Sequence, residues 1–351
     1  MQKKLIALAI AGLASTAAFA QSNVTIYGIA DVGLVATSNL GASNGQTQYA
    51  VNSGLLSTSR IGFKGVEDLG NGLKALFTLE YGLNIDANAG IGGTVVTDSS
   101  SNVTSTNARQ QFVGLTGGFG TVVAGRLQTT GLDFTVAGSA LGGSTGLGAT
   151  NLVGGTHSLS LISALTGRAN NAVAYISPSF GGLTLAYNHA RVSETALTTN
   201  TTDSQANLVS ASYASGPITA GAIYSRITMD GPNNNLGEWG VRGGYDFSVV
   251  KLQAAYQQGK VQSESANKKW VVSATVPVGA KVALITEFAH LSKKSTAFED
   301  NVNVLTLAST YALSKRTTAY AGFVAKRTQN GIGSTFTADT NTYGLGLRHS
   351  F

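Results

Sequence analysis

No cysteine occurs anywhere in the 351 residues, which excludes a disulfide scaffold. The four histidines, at 157, 189, 290 and 349, have no metal-ligand spacing, so no zinc site or other cofactor is expected. Charge is sparse as well. Lys, Arg, Asp and Glu make up 11% of the chain, against roughly 25% in an ordinary soluble domain. Low charge points to a membrane, yet no apolar run approaches the ~18 residues that a spanning helix needs. A helical membrane protein is thereby excluded and a soluble globule disfavoured. The positive charges, net +6, stand singly rather than in a stripe, which argues against nucleic acid as a partner. What the chain has in excess is glycine, with 44 residues, or about one in eight against a usual roughly 7%.

Residues 1–20 read as an address. Lys3 and Lys4 supply a basic start, Leu5 to Ala14 an apolar stretch, and Ala18-Phe19-Ala20 a small-x-small cleavage site, the three parts of a secretory signal. The expected mature chain is a single domain, 21–351, exported to the periplasm or outer membrane.

Within that domain the apolar period is two. Val24, Ile26, Gly28, Ala30, Val32 and Leu34 alternate with Thr25, Tyr27, Ile29, Asp31 and Gly33. Leu73, Ala75, Phe77, Leu79 and Tyr81 alternate with Lys74, Leu76, Thr78, Glu80 and Gly82, and Tyr343, Leu345, Leu347, His349 and Phe351 with Gly344, Gly346, Arg348 and Ser350. Alternation gives each strand one apolar and one polar face.

A soluble sandwich alternates too, and connection lengths separate the two. Short links fall at 67–72, 117–120, 179–182, 215–217, 247–250, 277–280 and 313–316. They alternate with longer links rich in Ser, Thr, Asn and Gly, such as 37–49, 85–106, 193–203 and 328–339. Short turns at one end and long loops at the other characterise outer-membrane barrels. Seven short and eight long links join 16 strands. In hydrocarbon every backbone N–H and C=O must be paired internally, so a spanning sheet has to close on itself. The expected fold is an all-β, 16-stranded antiparallel transmembrane barrel, with aromatic girdles drawn from Tyr81, Phe112, Phe119, Tyr187, Phe247, Tyr311 and Phe351. Sixteen strands enclose more lumen than side chains fill, so a water-filled pore follows.

Several segments then resemble a known family. Ser22-Asn23-Val24-Thr25-Ile26-Tyr27-Gly28, the run from Ser59-Arg60-Ile61 through Leu73-Lys74-Ala75, Arg109 to Arg126, Arg168 to Pro178, and the final Gly346 to Phe351 are similar to general porins of Gram-negative bacteria, particularly the β-proteobacterial branch. The resemblance implies a homotrimer in the cell outer membrane, in contact with bilayer and lipopolysaccharide, passing small hydrophilic solutes and ions by diffusion. It also implies a third loop, here 127–167, folded into the lumen; the sequence alone describes an exterior loop equally well. Facing that loop, by resemblance, are Arg60, Arg109 and Arg168, with Lys64, Lys74 and Arg126 as neighbours. Parity places Arg60, Lys64 and Lys74 inward and sets Glu80 and Asp31 on the lumen side of their own strands. Arg126, beside the loop, reads equally as a rim residue. Asp133 is the one acid on the loop, so positive charge is expected to dominate the narrowest part and give a mild anion preference. The resemblance further implies that Phe351 is read by the barrel insertion machinery; an ordinary closing strand paired with 24–34 is compatible with that.

Other signals are weaker. Gly142-Gly143-Ser144-Thr145-Gly146 fits G-x-S-x-G, but that chemistry needs a strand-to-helix elbow with a positioned acid and histidine, and the match lies in a Gly/Ser-rich loop. Lys268-Lys269 and Lys293-Lys294 read as a solvated face, with lipopolysaccharide contact as the second reading. The competing functions are a substrate-specific outer-membrane channel, a membrane-barrel hydrolase, for which no Ser/His/acid set assembles, and an adhesive barrel. No enzyme activity is expected.

Overall fold

A computed structural model describes residues 23–39, 46–87, 90–93, 108–156, 160–162, 167–191, 204–229, 235–294, 299–330 and 339–351. The export signal at 1–20 and His157 lie outside the described residues. The chain forms one antiparallel sheet in which each strand pairs with its sequence neighbours, and β1 (Asn23–Asn39) pairs with β17 (Thr340–Ser350) to close the cylinder.

Among the described residues, seventeen strand segments build 16 barrel strands, because the second strand is broken in two. β2 (Thr47–Ser53) pairs with the upper half of β1, and β3 (Arg60–Gly70) with its lower half. The interruption follows from Gly54, whose φ of 79° is open to glycine at little cost. Residues 54–59 turn into the lumen and are fixed there by Asp31. Its carboxylate accepts the N–H groups of Leu56 (3.0 Å) and Ser57 (2.6 Å) and the Tyr320 hydroxyl (2.5 Å).

The remaining strands are β4 (Leu73–Gly82), β5 (Ala108–Gly117), β6 (Gly120–Gln128), β7 (Arg168–Ile176), β8 (Leu183–Arg191), β9 (Ser204–Ser215), β10 (Ile218–Met229), β11 (Leu236–Asp246), β12 (Lys251–Val261), β13 (Asn267–Val278), β14 (Val282–Lys294), β15 (Glu299–Ala312) and β16 (Thr317–Asn330). Each expected short link is a tight connection at one end. The β3–β4 turn is Asn71-Gly72, with φ of 52° and 78°, the pair of positive values that a two-residue hairpin turn demands.

Outward positions are apolar and exposed, as in Val24, Ile26, Leu34, Val113, Leu185, Val241, Leu284, Leu307 and Leu345. Exposed aromatic residues ring the turn end at Phe119, Phe180, Tyr213, Tyr245, Phe247, Tyr311 and Phe351. Farther up the wall, outward Trp239 stacks with Tyr256 and Trp270 with Phe288, with ring centroids 5.3 Å apart in each pair. Two of the expected girdle residues fall elsewhere: Phe112 faces the lumen, opposite Gly125 and against Val123, and Tyr187 sits in the middle of β8.

The third loop runs inward. Helix α1 (Thr130–Ala137) packs on β8, β9 and β10, and the single turn α2 (Ala149–Leu152) on β13, β14 and β15. Thr129 caps α1 by accepting the Leu132 N–H, and Asp133 in the first turn suits the positive end of the helix. Glycines cut notches in the wall for loop side chains. A Cβ on Gly322 would stand 2.7 Å from Leu147, and one on Gly240 2.9 Å from Phe134. Leu147 thereby joins one buried cluster with Leu55, Val304 and Tyr320, and Phe134 another with Ile162, Leu208 and Ile227.

Candidate functional site

Where the loop meets the wall, the buried charges of Glu287, Glu238 and Lys269 are bonded to it. Glu287 on β14, fully buried, accepts the N–H groups of Leu141 (3.0 Å) and Thr150 (2.9 Å). Glu238 on β11 accepts the hydroxyls of Thr156 (3.0 Å) and Ser160 and the Leu161 N–H (3.3 Å). Lys269 on β13 donates to the carbonyls of Thr150 (3.0 Å) and Gly154 (3.4 Å) and lies within electrostatic reach of both carboxylates. This corrects the solvated-face reading of Lys269, which is 1% exposed. Its neighbour Lys268 has the opposite parity and is exposed.

Ser144 is also part of this attachment. Its hydroxyl donates to the Leu55 carbonyl (2.6 Å) and accepts the Leu147 N–H (3.0 Å). Buried and doubly bonded, it anchors the loop tip to the 54–59 turn, so the G-x-S-x-G match carries a structural role.

With the loop held against β8 to β15, the facing wall from β3 to β7 stays open, and there the expected cations gather. Arg109 Nε lies 2.7 Å from Glu80 and Arg60 Nε 3.5 Å from it. Tyr27 donates its hydroxyl to the same carboxylate (3.1 Å). Arg168 is within electrostatic reach of Arg60, Arg109 and Glu80 and donates to Gln128 (3.4 Å). Three guanidiniums around one carboxylate leave a local excess of positive charge.

Arg109 reaches this cluster through an irregularity in register. Glu80 pairs with Gln110 but Tyr81 with Ala108, so one extra residue occupies β5 and Arg109 is re-aimed into the lumen. Lys64, on the same face as Arg60, lies 5.1 Å from the Tyr27 ring centroid. Lys74, exposed, sits in register with Thr116 near the turn end of the barrel. Arg126 lies within electrostatic reach of Arg168 but makes its hydrogen bonds elsewhere. It falls opposite Gln111, on the face of exposed Val113 and Leu115, and donates to the Ala108 carbonyl (2.7 Å) and Asn170 (2.5 Å).

Asp133 accepts a hydrogen bond from Gln128 (2.5 Å) and has Arg168 and Arg242 as charged neighbours. Enclosure by the barrel raises its pKa above the ordinary carboxylate value, opposed by that hydrogen bond and by the two guanidiniums. The side chain is nevertheless open to lumen water, and water access screens the effect of enclosure.

Two cations were missed. Arg348 on β17 donates to Ser57 (3.0 Å) and lies near Arg60. Arg242 on β11 donates to Ser212 (3.1 Å), with its guanidinium carbon 5.9 Å from the Phe134 ring. Parity marks both, since Leu347 and Val241 beside them face outward. Phe351 exchanges backbone hydrogen bonds with Gly28 (3.1 Å each way), and its ring covers that glycine.

Comparison with known proteins bears on the whole chain. Residues 7–331 match the family described as Gram-negative porin. Outer membrane porin protein 32 of Delftia acidovorans is 30% identical over 332 residues, 91% of this chain and 88% of that one. Among solved structures, an anion-selective porin from Comamonas acidovorans superposes with a TM-score of 0.74 at 25% identity, covering 94% of this chain and 100% of that one. OmpT of Vibrio cholerae, solved in a trimer form, has a TM-score of 0.68 at 15% identity over 94% of this chain and 99% of its own, a likeness of fold.

Proposed function

The chain belongs to the Gram-negative porin family, and from that premise we propose that it is a water-filled diffusion channel for small hydrophilic solutes and ions with a mild preference for anions. The observation that carries this reading is the cluster of Arg60, Arg109 and Arg168 around the single carboxylate of Glu80. These guanidiniums stay charged at any working pH, and in a narrow passage walled by low-dielectric protein their fields add. Asp133, tied to Gln128 between Arg168 and Arg242, offers a passing cation little. The anion-selective neighbour from Comamonas supports the same sign.

The zero-current potential across a chloride gradient tests it in a planar bilayer. Anion preference is expected, and cation preference overturns the reading. Large ohmic steps should accompany it, while lipid cleavage without conductance would favour a barrel hydrolase.

The same reading covers the partners. A homotrimer is supported by the trimer form of the Vibrio neighbour and by an apolar outer groove lined by Leu34, Tyr49, Val51, Tyr343 and Leu345. Steps in multiples of three would register it. Exposed Lys268 and Lys294 suit contact with anionic lipopolysaccharide. Residues 1–20 serve as the cleaved export signal, and Phe351 presents the terminal aromatic to the insertion machinery. Deleting Phe351 should lower the amount assembled in the membrane while leaving the conductance of each assembled pore intact.

A further inference from the structure

Among the described residues the inner wall carries three apolar clusters, and the loop accounts for two of them. One receives Leu141, Leu147 and Val153, the other Phe134, Leu161 and Ile162, all from the loop. The third, on β6, β7 and β8 with Leu76 and Phe112 against it, is built, among the described residues, from barrel residues alone, Leu127 at the loop's edge included. The cluster itself is buried, but beside it Leu76 and Phe112 are only half-buried and Ile176 is exposed. Apolar surface left to a wet lumen is unfavourable by roughly 25 cal/mol per Å2, and a cavity of about 430 Å3 stands over these residues. That volume falls within the range of small-molecule sites.

The two sides of the cavity differ in chemistry. Leu76, Phe112, Val123 and Ile176 form the apolar side. Asn188, Ser210 and Ser212 line the opposite side, and their bonding determines what they offer. Asn188 gives its carbonyl oxygen to the Thr130 N–H (2.6 Å), leaving its amide N–H groups for the cavity. Ser212 accepts from Arg242 (3.1 Å), leaving its O–H. Behind these donors stand Arg242 and, through Gln128, Arg168. The one acid among the lining residues, Asp133, is held by Gln128 and flanked by both guanidiniums, so donors and positive charge prevail.

We propose that this cavity is a binding site for small amphipathic anions, carboxylates with an unbranched or aromatic apolar body, seated with the carboxylate toward Asn188, Ser212 and Arg242 and the body against Phe112 and Ile176. The inference rests on the anion-preferring channel proposed above and adds a substrate class to it. Short hydrophilic anions are held only briefly, whereas a carboxylate with several methylenes lingers and obstructs the current.

Block of chloride current by hexanoate, with acetate and hexylammonium as controls, tests the site. Hexanoate is expected to reduce the current saturably, with a half-blocking concentration about tenfold below that of acetate, since burying even two methylenes is worth about that factor. Hexylammonium should not block. Ile176→Ser and Phe112→Ser, each referred to its own unblocked current, should collapse the hexanoate-to-acetate ratio toward one. Arg242→Gln should weaken block by both anions while keeping their ratio. Equal block by hexanoate and acetate, block by hexylammonium, or a ratio untouched by Ile176→Ser each overturns the site. Failure of the underlying channel reading shows separately, as absent ohmic conductance or a cation-selective zero-current potential before any blocker is added.

Discussion

The two flanks of the lumen treat charge in opposite ways. Along β11 to β14, beneath the loop, Glu238, Lys269 and Glu287 are buried and bonded to backbone groups. Across from them, Arg60 and Arg168 stay partly open to water and surround Glu80. Burial decides the difference. A charge taken out of water must find fixed partners or forfeit several kcal/mol, so the covered flank spends its charge on holding the loop. A charge left at the water's edge keeps a field that reaches past its own contacts. On the proposed reading, attachment and selectivity thereby fall to different strands of one sheet, and each should be open to disturbance without the other.

The largest effect should come from Glu287→Ala. It strands two loop N–H groups and removes a neighbour of buried Lys269, at a cost of about 3 kcal/mol. Urea unfolding in detergent should show a marked loss, smaller in Glu287→Gln, which keeps an acceptor. An unchanged midpoint would refute the anchoring role. Next, replacing Arg60, Arg109 and Arg168 together by Gln should abolish the anion preference while costing less stability than Glu287→Ala. If the zero-current potential kept its sign and size, selectivity would have to arise elsewhere.

Gly322→Val fills the notch that receives Leu147. Overpacking of that kind typically costs 1 to 3, or about 2 kcal/mol, and a displaced loop should appear as added noise in the open-channel current. A quiet, fully stable variant would show that the notch is not needed. The smallest effect is that of pH. Because enclosure raises the pKa of Asp133, it gains its proton above the ordinary carboxylate range as pH falls. The lumen then loses a negative charge, so anion preference should rise on acidification. Asp133→Asn should begin at the raised value and lose that part of the pH response. An identical pH profile in both proteins would remove Asp133 from the account.

Much of the fold was legible because a barrel strand obeys one rule along its length. Parity placed Val24 and Ile26 outside and Asp31 and Glu80 inside, and the seven short links fell at the observed turns. What escaped was local exception. The extra residue beside Glu80 turns Arg109 inward, and alternation counted from Gln110 would have sent it to the lipid side. Gly54 breaks the second strand, and only Asp31, distant in sequence, explains why that turn is held inside the lumen. Lys268 and Lys269 read as a solvated pair by composition, and parity divides them, sending Lys268 outward and Lys269 under the loop. Phe112 reads as a girdle residue when counted as close to a strand end, while it lies in the middle of β5 and register puts it over the inner cavity.

The pairing of β1 with β17 has a consequence for assembly. It joins Ile29 to Ser350 and Asn39 to Thr340, contacts about as remote along the chain as this polypeptide allows, whereas the other strand pairs are between sequence neighbours. Nearest-neighbour hairpins close small entropic loops and form early; the seam must wait for the whole ribbon. Until then both borders of the sheet carry unpaired N–H and C=O groups, open to any foreign strand. A chain that stops short of residue 340 keeps one such border for good, so a missing tail converts a self-sealing ribbon into a template for aggregation.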